Sequence, residues 1–393
     1  GHHDGTSCSD SSHNGFFAQV SAFFSSMFAS DAASYDVSTL LAVNATPATL
    51  KALRRQGLRK STTYRLPRLG MTVTSLQVPA GEDSNNVLAR LHKQGLSGIM
   101  LNHYYQLDGT GVGQHADREY PYSMVRWPVS SPSCGRGVRI GMVDGSVDVR
   151  VPTLAHQRIR QKRFAGGKEK GAMEHGTAIA ELLVGCHGGR FCGLMPEARL
   201  FTAVAFAGSK DDDPRATALA IVRSLDWLLA ARVEAINLSF SGPDNGVLKM
   251  AIHRIVSRNI PLVAAAGNYG RRGAPAYPAA YPGVIAVTAV DRFHRPFADA
   301  NQGDYIDFAA PGVRVPVPCG RDKMCYKSGT SFAAPYCTAL VAGIRHRWRR
   351  KASLPRLMAV LEKNVQDLGV PGKDPVFGRG LVRCGRECRA FGR

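Results

Sequence analysis

Short apolar runs alternate with amphipathic stretches from residue 136 onwards, and this alternation predicts a mostly parallel sheet with helices on both faces. Apolar runs of four to eight residues are typical of buried strands, and apolar residues spaced three or four apart are typical of helices. The predicted strands are 137–144, 198–205, 235–238, 261–266 and 284–290. The predicted helices are 174–184, 216–231, 245–258 and 336–344. The fold class predicted for 136–393 is therefore α/β.

A smaller unit at residues 37–107 precedes this region. Its pattern predicts strands at 38–43, 72–78 and 98–105, and helices at 48–56 and 85–94. Thr46 and Pro47 stand where an N-cap and a first helical residue are expected. The order strand, helix, strand, helix, strand predicts a compact ferredoxin-like α+β unit. Residues 108–135 contain clusters of Gly, Pro and Ser and are predicted to be a linker.

The N-terminal segment, residues 1–36, gives an open prediction. Residues 1–14 are rich in Gly, His, Ser and Asp, which is typical of a disordered stretch. Residues 16–29 are apolar but too short to cross a bilayer, and they fit either a secretory leader or a short packed helix. Because no apolar run reaches ~18 residues, we predict no stable membrane span.

The chain carries a formal net charge of +20 in 393 residues. A charge of this sign suits anionic partners such as nucleic acid, but it also suits an ordinary basic surface. The positive residues are scattered, and the densest run, 345–351, is predicted to be the exposed end of a helix. We therefore predict no nucleic-acid partner.

Nine cysteines indicate the redox environment. Cys186 and Cys192, and likewise Cys319 and Cys325, bracket short polar loops, and Cys384 and Cys388 lie close together. These spacings favour short-loop disulfides and an extracytoplasmic location, secreted or periplasmic. A zinc site is the less favoured alternative, because no Cys-x-x-Cys pair is repeated with His partners. Cys337 lies within an apolar run and is predicted to be a buried thiol.

Candidate chemistry lies at three points. Asp144 ends a predicted buried strand, His175 begins a predicted helix, and Ser331 follows Gly329-Thr330 just before the apolar run 336–344. We expect Ser331 at a helix start, with Pro335 in the first turn, where a missing N–H is tolerated. Taken singly, these residues fit a helix cap or a core histidine. Taken together, the chain order Asp, His, Ser is one of the known orders of a serine-protease triad.

The motifs between residues 136 and 382 resemble those of the subtilisin-like serine proteases. They are 143–144, 175–177, 237–239, 264–268, 309–312, 329–331 and 377–382. The resemblance implies a secreted serine endopeptidase in which Ser331 attacks, His175 transfers the proton and Asp144 orients His175. It also implies that Asn268 donates to the oxyanion. The implied substrate-binding residues are Ser239, Phe240, Ser241, Gly242 and Gly267.

The same resemblance identifies residues 37–107 as a prodomain, which in this family is a folding chaperone and inhibitor. It implies self-cleavage within a few residues of Leu107. Tyr269 stands where some relatives carry an acid, and we predict an apolar or aromatic residue before the cut. No cofactor is required. Structural calcium is compatible with the resemblance, although no carboxylates match the family's calcium ligands.

Two departures from the family pattern concern the orientation of the triad. Gly145-Ser146 reverses the usual order after the aspartate, and Ala178 and Glu181 replace a His and a Gly. Two alternative functions remain: a catalytically silent binding module with this fold, and an anion-binding protein. Labelling of Ser331 by a fluorophosphonate discriminates against the first, and salt-insensitive elution from heparin discriminates against the second.

Overall fold

The computed structural model describes residues 34–111, 120–128, 134–166, 172–188, 191–208, 213–320 and 323–391. The predictions for residues 1–33 lie outside the described part of the chain. The same holds for 112–119 and 129–133 of the predicted linker.

The first unit has the order β-α-β-β-α-β. Its elements are β1 (Tyr35–Val43), α1 (Pro47–Arg55), β2 (Arg59–Leu66), β3 (Met71–Gln77), α2 (Ser84–Lys93) and β4 (Ile99–Leu107). The sheet order is β2-β3-β1-β4, and the pairs are antiparallel. Thr46 caps α1 by accepting from the Thr49 N–H, as predicted. The sequence pattern does not predict β2, because this edge strand is mostly exposed and lacks the alternation of a half-buried strand.

The remaining strands include seven that form one parallel sheet, in the order β16-β15-β14-β12-β6-β10-β7. The bounds are β5 (Thr110–Gly111), β6 (Arg139–Asp144), β7 (Arg158–Arg163), β8 (Cys186–His187), β9 (Phe191–Cys192), β10 (Arg199–Val204), β11 (Arg215–Thr217), β12 (Ala235–Leu238), β13 (Phe240–Ser241), β14 (Leu262–Ala265), β15 (Ile285–Val290), β16 (Phe308–Pro311), β17 (Val315–Pro318) and β18 (Met324–Ser328). The prediction of a mostly parallel α/β sheet is confirmed.

Helices cover both faces of this sheet. Their bounds are α3 (Tyr120–Met124), α4 (Met173–Val184), α5 (Ala218–Ala230), α6 (Gly246–Val256), α7 (Thr330–Arg347), α8 (Leu354–Asn364) and a 3-10 helix (Arg386–Ala390). One apolar core joins α4 and α7 to the sheet, and a second core joins α5 and α6 to the opposite face. The strand β7 was missed because it is a charged edge strand whose residues are mostly exposed.

The basic run at the end of α7 differs from our expectation. Arg345 is only 6% exposed, and its Nη1 donates to the carbonyl oxygens of Val233 and Glu234. Arg350 pairs with the Glu234 carboxylate at 2.7 Å. The buried Glu234 side chain therefore holds part of this run in the structure, because a buried carboxylate is costly without cationic partners.

The cysteine predictions are confirmed in the described residues. Disulfides join Cys186 to Cys192, Cys319 to Cys325 and Cys384 to Cys388. Cys337 is a buried free thiol, and so is Cys134. The second disulfide ties β17 to β18, the hairpin that leads directly to Ser331.

None of the described helices combines the length and apolarity needed to cross a bilayer.

The Cys319–Cys325 disulfide should stabilise the hairpin before Ser331. In an inactive Ser331→Ala background, Cys319→Ser together with Cys325→Ser should lower the free energy of unfolding by ~2 kcal/mol, since the cross-link closes a short loop. Urea unfolding measures this difference. Peptide mapping without reductant provides the control: it should find Cys134 and Cys337 as thiols, and finding Cys319 and Cys325 as thiols would contradict the assignment.

Candidate active site

Two glycines set the distance between Asp144 and His175. Asp144 ends β6 and is fully buried, while His175 lies in the first turn of α4. A Cβ on Gly145 would lie 2.1 Å from the Ala172 carbonyl oxygen, and one on Gly176 would lie 2.6 Å from the Gly145 carbonyl oxygen. The loop after β6 and the start of α4 therefore pack backbone against backbone. This explains why glycine, and not a larger residue, directly follows Asp144.

Ser331 lies in the first turn of α7, as predicted, but Pro335 does not. The helix begins at Thr330, so Pro335 lies inside it, and the Ser331 carbonyl oxygen loses its usual donor four residues on. Ser239 replaces that donor, because its Oγ donates to the Ser331 carbonyl oxygen at 2.9 Å. Asn237 Nδ2 in turn donates to Ser239 Oγ at 2.8 Å. The prediction that Pro335 lies in the first turn was wrong, and a side chain from the neighbouring strand compensates for it.

The three predicted triad residues meet in one hydrogen-bonded row. His175 Nδ1 lies 2.9 Å from Asp144 Oδ1, and His175 Nε2 lies 3.0 Å from Ser331 Oγ. This arrangement allows His175 to take the Ser331 proton while Asp144 holds the imidazole tautomer. The replacements Ala178 and Glu181 do not disturb the row: both are buried, and Glu181 accepts from Thr153 Oγ1 at 2.6 Å.

Asn268 is oriented toward the same point by Thr330. Its Oδ1 accepts from the Thr330 N–H at 3.1 Å and from Thr330 Oγ1 at 2.9 Å. A Cβ built on Gly329 would lie 3.1 Å from Asn268 Nδ2 and 2.9 Å from the Asp108 carbonyl oxygen. The amide nitrogen of Asn268 and this carbonyl oxygen therefore border the same small space.

The peptide bond between Asp108 and Gly109 lies at Ser331. The Ser331 N–H donates to the Asp108 carbonyl oxygen at 3.1 Å, and the Asp108 N–H donates to the Ser239 carbonyl oxygen at 3.3 Å. A Cβ on Gly109 would lie 2.8 Å from Ser331 Oγ, so Gly109 touches the hydroxyl. Acyl transfer requires a carbonyl oxygen that accepts from a backbone N–H and a nucleophile beside the same carbonyl group.

The chain on both sides of this bond is held by strand pairing. The end of β4 pairs antiparallel with β11 on one side and with β13 on the other. Beyond the bond, β5 pairs antiparallel with β18. The segment therefore lies fully extended across the site.

Four of the predicted substrate-binding residues contact β4 or Asp108, namely Ser239, Phe240, Ser241 and Gly242. A Cβ on Gly242 would lie 2.4 Å from the Tyr105 ring, so only glycine leaves room for this buried tyrosine. Phe240 packs edge-on against the same ring at 6.0 Å. Gly267 adopts φ +101°, where a Cβ would meet Ala276 at 2.7 Å, so it shapes the wall of the cleft.

The Asp108 side chain lies beside Ser241 and Tyr269, where the sequence led us to expect an apolar or aromatic residue. Asp108 is 4% exposed, and its Oδ1 accepts from Ser241 Oγ at 2.6 Å. Ser241 Oγ also lies 2.9 Å from Tyr269 Oη. The sequence does not predict Asp108 as a site residue, because the Gly, Pro and Ser clusters from residue 108 onwards indicate a linker. The only available signal was its position one residue after the last strand of the first unit.

Burial raises the pKa of the Asp108 carboxyl to about 7, against the opposing effects of the Ser241 hydrogen bond and of His175. Its Oδ2 has no hydrogen-bond partner in the described part of the chain. The pocket therefore favours the protonated carboxyl, since burial penalises the charged form. In the described ranges, no group of three or more His, Cys, Asp or Glu side chains could hold a metal ion.

Comparisons with known proteins identify the family. The profile described as the Subtilase family matches residues 135–380, which is more than half of the chain, so the chain belongs to the subtilase family. It is 30% identical over 211 residues to the minor extracellular protease Epr of Bacillus subtilis, covering 53% of this chain and 32% of Epr. It is 29% identical over 252 residues to the major intracellular serine protease of the same species, covering 60% and 78% of the two chains. The chain thus spans about a third of the length of Epr.

A solved structure agrees with the fold. Fervidolysin from Fervidobacterium pennivorans, described as a keratinolytic enzyme related to subtilisin, superposes with a TM-score of 0.75 and 20% identity. The match covers 91% of this chain and 61% of that one. At this identity the similarity concerns the fold, which includes the first unit as well as the region of the family profile.

The raised pKa of Asp108 predicts a pH-dependent stability of the uncut chain. Folding should take up a proton between pH ~4, the usual Asp value, and pH about 7, so the Ser331→Ala protein should lose stability as pH rises through this window. The matched control is Ser331→Ala with Asp108→Asn, in which the neighbouring titratable groups His175, Tyr269 and Tyr305 are unchanged.

The measurement is urea unfolding at several pH values between 4 and 8. The difference between the two proteins should change by a few kcal/mol, on the order expected for a buried carboxyl, and should level off above pH 7. A difference that stays constant across this range would contradict the assignment of a raised pKa to Asp108.

Proposed function

We propose that this chain is a serine endopeptidase that hydrolyses peptide bonds through Asp144, His175 and Ser331, and that it is made as a self-processing precursor. One observation carries the proposal: the Asp108–Gly109 bond lies at Ser331 in the manner of a substrate. The Asp108 carbonyl oxygen is 3.1 Å from the Ser331 nitrogen, while His175 Nε2 is 3.0 Å from Ser331 Oγ.

The proposed reaction proceeds in two halves. Ser331 Oγ attacks the Asp108 carbonyl carbon as its proton passes to His175 Nε2, and the negative charge that develops on the carbonyl oxygen faces the Ser331 N–H and Asn268 Nδ2. His175 then gives the proton to the Gly109 nitrogen, and the bond between Asp108 and Gly109 breaks. Water, deprotonated by His175, finally hydrolyses the ester between Asp108 and Ser331.

Residues 35–108 act, in this proposal, as the prodomain and its product inhibitor. Charged residues of the α/β region contact this unit: Arg254 donates to the Leu69 and Gly70 carbonyl oxygens, and Asp226 accepts from the Leu69 N–H. On the side of the first unit, these contacts use backbone groups. Asn102 Oδ1 accepts from the Leu219 N–H at the start of α5 at 3.2 Å, and Asn245 Nδ2 donates to the Leu101 carbonyl oxygen at 3.0 Å. Between residues 37 and 107 there are nine Lys or Arg and two acids. Because the whole chain is also basic, docking depends on pairing and packing and should be insensitive to salt.

We also propose that the protein acts on polypeptides outside the cytoplasm. Three short-loop disulfides support this location, since such bonds persist in oxidising compartments. The name of Epr, an extracellular protease, agrees with it, whereas another relative is named an intracellular protease. The disulfides therefore carry more weight here than the relatives do. No catalytic cofactor is needed for the proposed steps.

Loss of any reacting group should abolish hydrolysis. Ser331→Ala or His175→Ala should lower kcat by ~10³-fold or more, because the triad acts as a unit. Asn268→Ala should lower kcat by ~10²–10³-fold, the usual effect of losing one oxyanion donor. Peptide hydrolysis and labelling of Ser331 by a fluorophosphonate measure these effects, with circular dichroism as the control for folding. Near-normal activity in Ser331→Ala would overturn the proposal.

Self-cleavage should occur between Asp108 and Gly109. N-terminal sequencing of the mature species should begin at Gly109, and the Ser331→Ala protein should stay intact. Gly109→Val should slow the cut by ~10-fold or more, because a side chain there would meet Phe332 at 2.6 Å and Ser331 Oγ at 2.8 Å. Gly166→Val is the matched control, since nothing lies within 4 Å of a Cβ at Gly166.

Two outcomes would refute this maturation scheme. One is a wild-type chain that is active while uncut. The other is an identical cut in the Ser331→Ala protein with no other protease present.

A further inference from the structure

We propose that the pocket formed by Ser241 and Tyr269 selects a short, neutral side chain that accepts a hydrogen bond before the scissile bond, namely asparagine or protonated aspartate. The inference rests on the proposed function, because it assigns a substrate class to the same site. It concerns peptides that are cut after Asn or protonated Asp, whereas an apolar pocket would favour cutting after a large aliphatic or aromatic residue.

The first support is the side chain that occupies the pocket. Asp108 is 4% exposed, and its Oδ1 lies 2.6 Å from Ser241 Oγ. The backbone of Asp108 is held on both sides, by the Ser331 N–H and by the Ser239 carbonyl oxygen. The carboxyl group therefore enters the pocket along the path that a substrate side chain at this position must take.

The second support is the closed, polar end of the pocket. Ser241 Oγ lies 2.9 Å from Tyr269 Oη, so the two hydroxyls form a row behind the carboxyl group. A hydroxyl carries one proton, so when Ser241 donates to Asp108 its own oxygen accepts from Tyr269. Tyr269 is fixed by its backbone N–H, which donates to Asn301 Oδ1 at 2.7 Å. Ser241 is 0% exposed in the uncut chain, where Asp108 and the end of β4 cover it.

The chemistry of this pocket disfavours a large apolar side chain. Such a residue would have to displace a fixed ring, and it would leave the Ser241 hydroxyl without its partner. A site built to hydrogen-bond a polar group rejects analogues that lack that group, because its own buried polar atoms are then unpaired. Alanine would fit by size but would leave Ser241 equally unpaired, so it separates the effect of size from that of the hydrogen bond.

The test uses five fluorogenic peptides with the sequence of residues 104–111, in which position 108 is Asp, Asn, Ala, Leu or Phe. The mature protein, obtained from the full-length chain, is assayed for kcat/KM at pH 6. The Asn peptide should exceed the Ala, Leu and Phe peptides by ~10-fold or more, the factor expected for one hydrogen bond from a buried donor. Because burial penalises an ionised carboxyl in this pocket, the Asp peptide should fall below the Asn peptide at pH 6, and its kcat/KM relative to the Asn peptide should rise when the assay is repeated at pH 5.

Two variants test the residues that are proposed to select the substrate side chain at position 108. Ser241→Ala should lower kcat/KM for the Asp peptide by ~10-fold and change the Ala peptide by less than ~2-fold, because the effect passes through one contact. Tyr269→Phe removes only the hydroxyl and should act in the same direction with a smaller effect. Ser257→Ala is the matched control, because Ser257 is exposed and its Oγ bonds only to the Arg254 carbonyl oxygen.

The outcomes separate this inference from the proposed function. Cleavage of the Leu or Phe peptide at or above the rate of the Asn peptide would overturn the inference while leaving the peptidase activity intact. Equal loss for the Asp and Ala peptides in Ser241→Ala would also overturn it, since Ser241 would then support only the cleft. If no peptide is cut and Ser331 is not labelled by a fluorophosphonate, the proposed function fails with it.

Discussion

The structure depends on one strand that belongs to two units. β4 pairs with β1 inside the first unit, and its end pairs with β11 and β13 of the α/β region. An extended strand buries its backbone donors and acceptors only when both edges are paired, so the two units are joined by main-chain hydrogen bonds as well as by side chains. The same pairing fixes the register that brings Asp108, and not Leu107, to Ser331.

A second constraint acts on Ser331, the proposed nucleophile. Because Pro335 removes a donor from α7, the Ser331 carbonyl oxygen relies on Ser239, which lies between β12 and β13. Asn237 holds Ser239 and also accepts from Thr338 Oγ1 on α7 at 2.9 Å. The helix that carries the nucleophile is thus tied to the strands that line the cleft. A small shift of either one would move both the attacking oxygen and the substrate backbone, and such shifts are costly in rate.

The sequence predicted the parts of the site that short motifs define. Each of these residues lies at one terminus of an apolar strand or helix. They are Asp144, His175, Asn268 and Ser331, and in the structure they lie close together. Exposed edge strands such as β2 and β7 were not predicted. Apolar periodicity marks residues that become buried, and these two strands bury few of their side chains. Asp108 and the role of Ser241 were missed for another reason. Asp108 and Ser241 are 133 positions apart in the chain. Their contact depends on the register of β4, so no local sequence pattern predicts it.

Under the proposed self-cleavage at Asp108, the strand β4 also sets how the protein responds to its own concentration. Before the cut, β4 and the cleft are parts of one chain, so their pairing is intramolecular and does not change on dilution. After a cut at Asp108, the first unit and the α/β region form a complex of two molecules in a fixed one-to-one ratio, and mass action governs how much of the cleft is open. Before this cut the first unit always occupies the cleft. After one covalent bond is broken, dilution can release the first unit from the cleft.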